Sequence, residues 1–90
     1  MTARPRDKPI RLSAHASGYR VRRGFTEVEV EATIRAGPWL AARNDRLEAT
    51  KDFPFNDLWN GHHYAAERVR PVFVEEDNEI VVITVYTYFL

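Results

Sequence analysis

Phe25-Thr26-Glu27-Val28-Glu29-Val30-Glu31-Ala32-Thr33-Ile34-Arg35-Ala36-Gly37 admits two readings. Val28, Val30, Ala32 and Ile34 alternate with polar residues, as a strand with one wet face would. The ends argue otherwise. Thr26 followed three residues later by Glu29 has the form of a capping box, and Phe25 stands where a hydrophobic staple reaches Val30. Gly37-Pro38 supplies a stop. Three end signals outweigh one alternation, so a helix is expected over Glu27 to Ala36, with Phe25, Val30 and Ile34 inward and Val28 exposed.

On the N-terminal side, Ser13 precedes Ala14-His15-Ala16 as an N-cap does, and Gly24 stands where a left-handed residue ends a helix. Arg22 and Arg23 suit that helix's negative end. A first helix is therefore expected over Ala14 to Arg23, with Leu12, Ala16 and Tyr19 as its apolar stripe. Gly18 lies inside it and costs about 1 kcal/mol relative to Ala, so this helix must lean on tertiary packing. Residues 1–9 hold Pro5, Pro9 and charges with little to bury, and are expected to be a disordered basic tail before a single domain over 10–90.

On the C-terminal side, Asn44-Asp45 marks a turn, and Leu47, Ala49, Lys51 and Phe53 alternate with polar residues as in a strand. Phe53-Pro54-Phe55-Asn56 is expected to break that strand, and Trp59-Asn60-Gly61 to turn the chain into an extended segment from His63 to Glu75. Pro71 cannot donate to a ladder and is expected at an edge or a bulge. Glu76-Asp77-Asn78-Glu79 closes a hairpin, and Ile80 to Phe89, apolar on both faces, reads as a central strand. The fold class is α+β, with two N-terminal helices packed on an antiparallel sheet of three to four strands.

The 90 residues carry no net charge and no cysteine, which excludes disulfides and thiolate metal sites. The longest apolar run, Ile80 to Val85, is too short to span a bilayer, and no secretory signal follows the first basic residues. A cytoplasmic location without membrane association is expected. Residues 1–24 hold seven basic side chains against one acidic, whereas the remaining 66 hold six against twelve. A basic N-terminal third on an acidic body suits a phosphate-tracking surface, and equally a solvated tail with ordinary helix surface.

Several of these motifs resemble those of a bacterial family. Ser13-Ala14-His15-Ala16 followed by Arg23-Gly24-Phe25-Thr26-Glu27 looks like the opening signature of the domain-of-unknown-function family numbered 4258. Phe53-Pro54-Phe55-Asn56, then Trp59, Gly61 and Tyr64, then Val69 to Glu76, and finally Ile83 to Phe89 resemble one branch of it. Members are similar to the RelE/ParE and BrnT-like toxin folds. The resemblance implies a RelE-like toxin-type domain: a metal-independent ribonuclease or translation inhibitor, with RNA or the ribosome as target and a small antitoxin-like protein as partner. Tyr19 stands where the family has an arginine, and Glu67 where it has a lysine, with Arg20 and Arg68 beside them.

Metal-free RNA cleavage needs a base for the 2′-hydroxyl, an acid for the leaving oxygen, and cations for the phosphorane charge. His15, Arg22, Arg23, Arg68 and Tyr86 are the catalytic candidates, and Arg20, Lys51, Arg70 and Tyr88 the RNA-binding ones. On a helix, His15, Tyr19 and Arg22 lie close in angle, so imidazole and guanidinium can face one phosphate. The alternative for His15 is a half-buried structural histidine. Tyr86 and Tyr88 share a strand face with Thr84 and suit base stacking, or alternatively core or homodimer packing. Glu67 with Arg68 and Arg70 reads as exposed charge patterning, and His62-His63 as a solvated turn, since adjacent strand residues diverge. No Gly-rich phosphate loop, nucleophile elbow or carboxylate-rich cluster occurs, so neither cofactor nor metal is expected. The competing function is a non-enzymatic interaction module that binds an antitoxin-like partner or itself.

Overall fold

The computed structural model describes residues 7–90. The expectations placed on residues 1–6 lie outside them. In chain order the elements are β1 (Ile10–Leu12), α1 (Ala14–Gly18), α2 (Arg20–Arg23), α3 (Glu27–Ala36), β2 (Leu40–Ala41), β3 (Leu47–Glu48), β4 (Lys51–Trp59), β5 (His62–Glu75) and β6 (Ile80–Phe89). The architecture is α+β, with a mixed sheet of six strands and three helices among the described residues.

The decisive segment is helical. Thr26 Oγ1 accepts from Glu29 N at 3.1 Å, and Glu29 Oε1 accepts from Thr26 N at 2.8 Å, closing the capping box reciprocally. Gly37 N donates to Thr33 O, and Trp39 Nε1 donates to Ile34 O at 2.8 Å, which satisfies one of the carbonyls that the last turn leaves without a helical partner. Val28 is exposed while Val30 and Ile34 are buried, which is the helical and not the alternating pattern.

The first helix differs from expectation. It breaks at Tyr19, whose φ of −94° and ψ of −1° end α1 and begin α2. Gly18 just before the break has no side chain to pack, and α2 is pinned separately. Thr87 Oγ1 donates to Arg23 O at 2.6 Å, and Arg23 Nη1 donates to Val85 O at 2.8 Å. Both caps hold nonetheless: Ser13 Oγ accepts from Ala16 N at 3.1 Å, and Gly24 adopts φ 71°. A Cβ at Gly24 would stand 2.6 Å from Cη2 of Trp59, so this position requires glycine for its backbone and for its space.

The sheet is larger than expected and not purely antiparallel. Its order is β1-β6-β5-β3-β2, with β4 also paired to β5. β1 runs parallel to β6, Ile10 opposite Ile80. Strand β5 therefore has β6 on one side and, on the other, β3 and β4 end to end. Pro71 sits on this central strand where β3 gives way to β4, and a bulge follows between Val72 and Phe73, so a position with no N–H to offer is accommodated. Phe53-Pro54-Phe55-Asn56 does not end β4; the strand passes through an irregularity between Pro54 and Asp57, with Asn56 at φ 46°. Asn60-Gly61, both at positive φ, make the tight turn of the β4–β5 hairpin.

Helix α3 covers one face of the sheet. Val30, Ile34, Phe25 and Ala16 meet Val69, Phe73, Ile80, Val82 and Val85 in one cluster, with Trp39 edge-on to Phe73 at 5.1 Å. Full burial of each large apolar side chain there is worth roughly 1.5–3 kcal/mol. Beyond Val82 no described strand pairs with this edge of β6, and α1 and α2 run along it. Ser13 N donates to Val82 O, and Ser13 Oγ to Ile83 O. The opposite face carries no helix among the described residues.

Candidate nucleic-acid interface

Strand alternation sorts the cationic and aromatic residues. Arg68 pairs with Tyr88 and Arg70 with Tyr86, so these four side chains share the open face, opposite to buried Val69 and Val85. Tyr86 is 39% and Tyr88 43% exposed. The Arg70 guanidinium lies 4.8 Å from the centre of the Tyr86 ring and 5.8 Å from that of Tyr88. Its Nη2 donates to Tyr88 Oη at 2.9 Å, and Nη1 to Glu48 at 3.2 Å.

The end of α2 reaches this face around the edge of β6. The Arg23 guanidinium stacks 4.1 Å from the Tyr19 ring and 5.2 Å from that of Tyr86, while Nη1 binds Thr84 Oγ1 and Val85 O. His15, exposed, packs its ring 4.8 Å from Tyr19, and Arg22 lies 5.6 Å from the same ring. His15, Tyr19 and Arg22 thus stay together despite the break, with Tyr19 as hub. The result is a continuous row: His15, Tyr19, Arg23, Tyr86, Arg70, Tyr88. Cation–π contacts of this kind contribute on the order of 0.5–1 kcal/mol each at exposed sites, enough to order the row without closing it to a ligand.

Three of the expected residues stand apart from the row's centre. Lys51 is opposite Val69 and so belongs to the helix-covered face, 5.6 Å from the Phe53 ring. Arg20 is exposed and pairs with Glu27 at 3.3 Å. Arg68 is on the open face but held by both oxygens of Asp52, at 2.7 and 3.0 Å; this hydrogen-bonded pairing keeps the Asp52 carboxyl below its ordinary range. Arg68 is therefore already neutralised, and Arg23, half-buried, acts chiefly as the bracket that fastens α2 to β6.

Glu67 corrects a sequence expectation. It is 1% exposed, on the covered face with Val69 and Phe53, and not part of a charged surface. Burial first, and then the hydrogen bond and charge of Glu29, push its carboxyl up to about 8. Its Oε2 has no partner among the described residues. The signal was present, because Glu67, Val69 and Pro71 share strand parity, and the last two are apolar.

Sequence reasoning also missed Arg43 and Arg46. They flank the Asn44-Asp45 turn, both of whose residues are left-handed, near φ 60°, and Ala42 N to Arg46 O closes the loop at 2.8 Å. Together with Asn44, Glu48, Arg70 and Tyr86 they line an open cleft of about 410 Å³ beside the row. A turn signal such as Asn44-Asp45 fixes the backbone and does not say where the flanking arginines face.

No family model, curated protein or solved structure matches the chain. His62 and His63 are exposed, and no group of three or more metal-ligating side chains gathers among the described residues. None of the described helices is long and apolar enough to cross a membrane.

Proposed function

We propose that the chain is a RelE-like toxin-type domain of the kind its motifs resemble, a metal-independent ribonuclease acting on single-stranded RNA in the cytoplasm. One observation carries this reading: the unbroken row from exposed His15 to Tyr88, in which an imidazole, guanidiniums and two accessible phenol rings adjoin along one rim. Grooves that combine cations with aromatic platforms are the common means of holding single strands. At the rim, the imidazole of His15 exchanges the proton of the 2′-hydroxyl or of the 5′-oxygen. The 2′-oxygen attacks phosphorus, the P–O5′ bond breaks, and a cyclic phosphate and a 5′-hydroxyl result. Arg22, exposed and without an ion pair among the described residues, offsets the charge on the phosphorane.

The test is cleavage of RNA by the purified protein, with and without ribosomes. His15→Ala should lower the rate by roughly 10²–10⁴-fold while leaving RNA affinity unchanged. Intact RNA in both settings, together with normal growth of cells expressing the chain, removes the reading. A non-enzymatic module that binds an antitoxin-like partner or a second copy is favoured by a different observation. Val21 is 84% and Val28 75% exposed, and they flank one apolar groove at Phe25. A protein that sizes as a monomer and retains no partner counts against that alternative.

A further inference from the structure

We propose that the cleft between the β2–β3 turn and the open sheet face is an RNA subsite, which holds a backbone phosphate next to the nucleotide stacked on Tyr86. It rests on the reading of the row as an RNA surface and adds a second contact zone, away from the His15 rim. Arg43, Arg46 and Arg70 line the cleft against a single carboxylate, Glu48, leaving an excess of positive charge on an otherwise acidic body. Glu48 is bound by Arg70, and neither Arg43 nor Arg46 makes an ion pair among the described residues. Guanidinium forks match phosphate oxygens bidentately, and the ammonium of lysine does not.

Three features make the cleft a built concavity and not a patch of surface arginines. Its wall is a tight turn with two left-handed residues closed by a backbone hydrogen bond, so Arg43 and Arg46 project from a defined backbone. Its floor is Val72 and Thr84 on paired strands. Arg70 is held at the cleft by Glu48 and by Tyr88 Oη, so its guanidinium stands in a fixed place. The volume of about 410 Å³ falls within the range of small-molecule sites. Tyr86 belongs both to the cleft and to the row, so a strand following the row passes directly from ring to cleft. An acidic peptide would find the same guanidiniums, but nothing in it would use the exposed rings of Tyr86 and Tyr88.

The probe is a fluorescein-labelled single-stranded RNA of a dozen nucleotides carrying 2′-O-methyl groups, which bind but do not cleave. Affinity is followed by anisotropy across salt concentrations. The double variant Arg43→Glu/Arg46→Glu should weaken binding at least tenfold. It should also make the slope of log affinity against log salt shallower by about 0.7, the share of one phosphate contact on a single strand. Arg20→Glu/Lys51→Glu makes the same change in net charge away from the cleft and should weaken binding far less; unaltered circular dichroism of both variants verifies folding. Equal losses from the two variants, an unchanged slope, or stronger binding of a labelled polyglutamate peptide than of RNA would overturn the proposal. Binding that shows the cleft dependence while unmodified RNA stays uncut leaves the subsite standing and removes only the ribonuclease. Cleavage that ignores the cleft variant does the reverse.

Discussion

The two faces of the sheet are built from the same strands and obey opposite rules. The face under α3 is dry. Its members include Phe73, Val69 and Ile34, and Glu67, the one acid buried there among the described residues, is forced to keep its proton. The face without a helix is wet and charged, and its ion pairs are exposed enough for water and salt to screen them. Residue parity along β5 decides which rule applies: Glu67 and Arg68 are neighbours in sequence, yet one is a carboxyl in a core and the other a charged guanidinium beside solvent. On the covered face a side chain sets stability, whereas on the open face it sets what can bind.

Removing Phe73, the largest fully buried side chain, should break the covered face most severely: Phe73→Ala is expected to cost about 3–5 kcal/mol by urea denaturation. Tyr86→Ala, on the other face, should cost only about 1–2 kcal/mol, the worth of its two cation–π contacts, while weakening RNA binding. Next in size is the pH response of Glu67. The folded protein holds this proton to about pH 8, whereas an unfolded carboxyl releases it near 4.5, so the stability that Glu67 contributes is fully present below pH 4.5 and is lost as pH rises through 8. The fall is on the order of a few kcal/mol. Glu67→Gln should flatten the curve between pH 5 and 8, and an unchanged slope would show that Glu67 is not its source. Thr26→Ala opens the capping box next to Glu67's partner Glu29 and should cost about 1 kcal/mol. The smallest effect is expected at Asp52–Arg68. Replacing Arg68 with Ala should leave the melting temperature within error, because that pair is exposed.

The sequence made α3 legible in full, because every one of its signals is local: Thr26 with Glu29, Phe25 with Val30, Gly37 before Pro38. Gly24 and the Asn60-Gly61 turn were legible for the same reason. What it did not reveal depends on partners far along the chain. The break at Tyr19 follows from Thr87 and Val85 gripping Arg23 from β6, and no pattern within residues 14–23 contains that. The parallel pairing of β1 with β6 is equally non-local. Of the candidate site, His15 and Arg22 meet at Tyr19, while Arg70, Tyr86 and Tyr88 lie together on the open sheet face and are joined to them only through Arg23. Lys51 fell on the other face, because the alternation that places Phe53 inward places Lys51 with it. The cleft arginines are not legible in the sequence, because their facing Arg70 and Tyr86 depends on the pairing of β3 with β5.

The pairing of β6 with β1, and its grip on α1, have a consequence for synthesis. Ser13 bonds to Ile83, 70 positions later, and β6 fills the place between β1 and β5. A nascent chain therefore cannot close its core until nearly all of the ninety residues have left the ribosome. Until then the apolar side chains of β5 wait without their main neighbour, and such waiting surfaces are where association between unfinished chains begins.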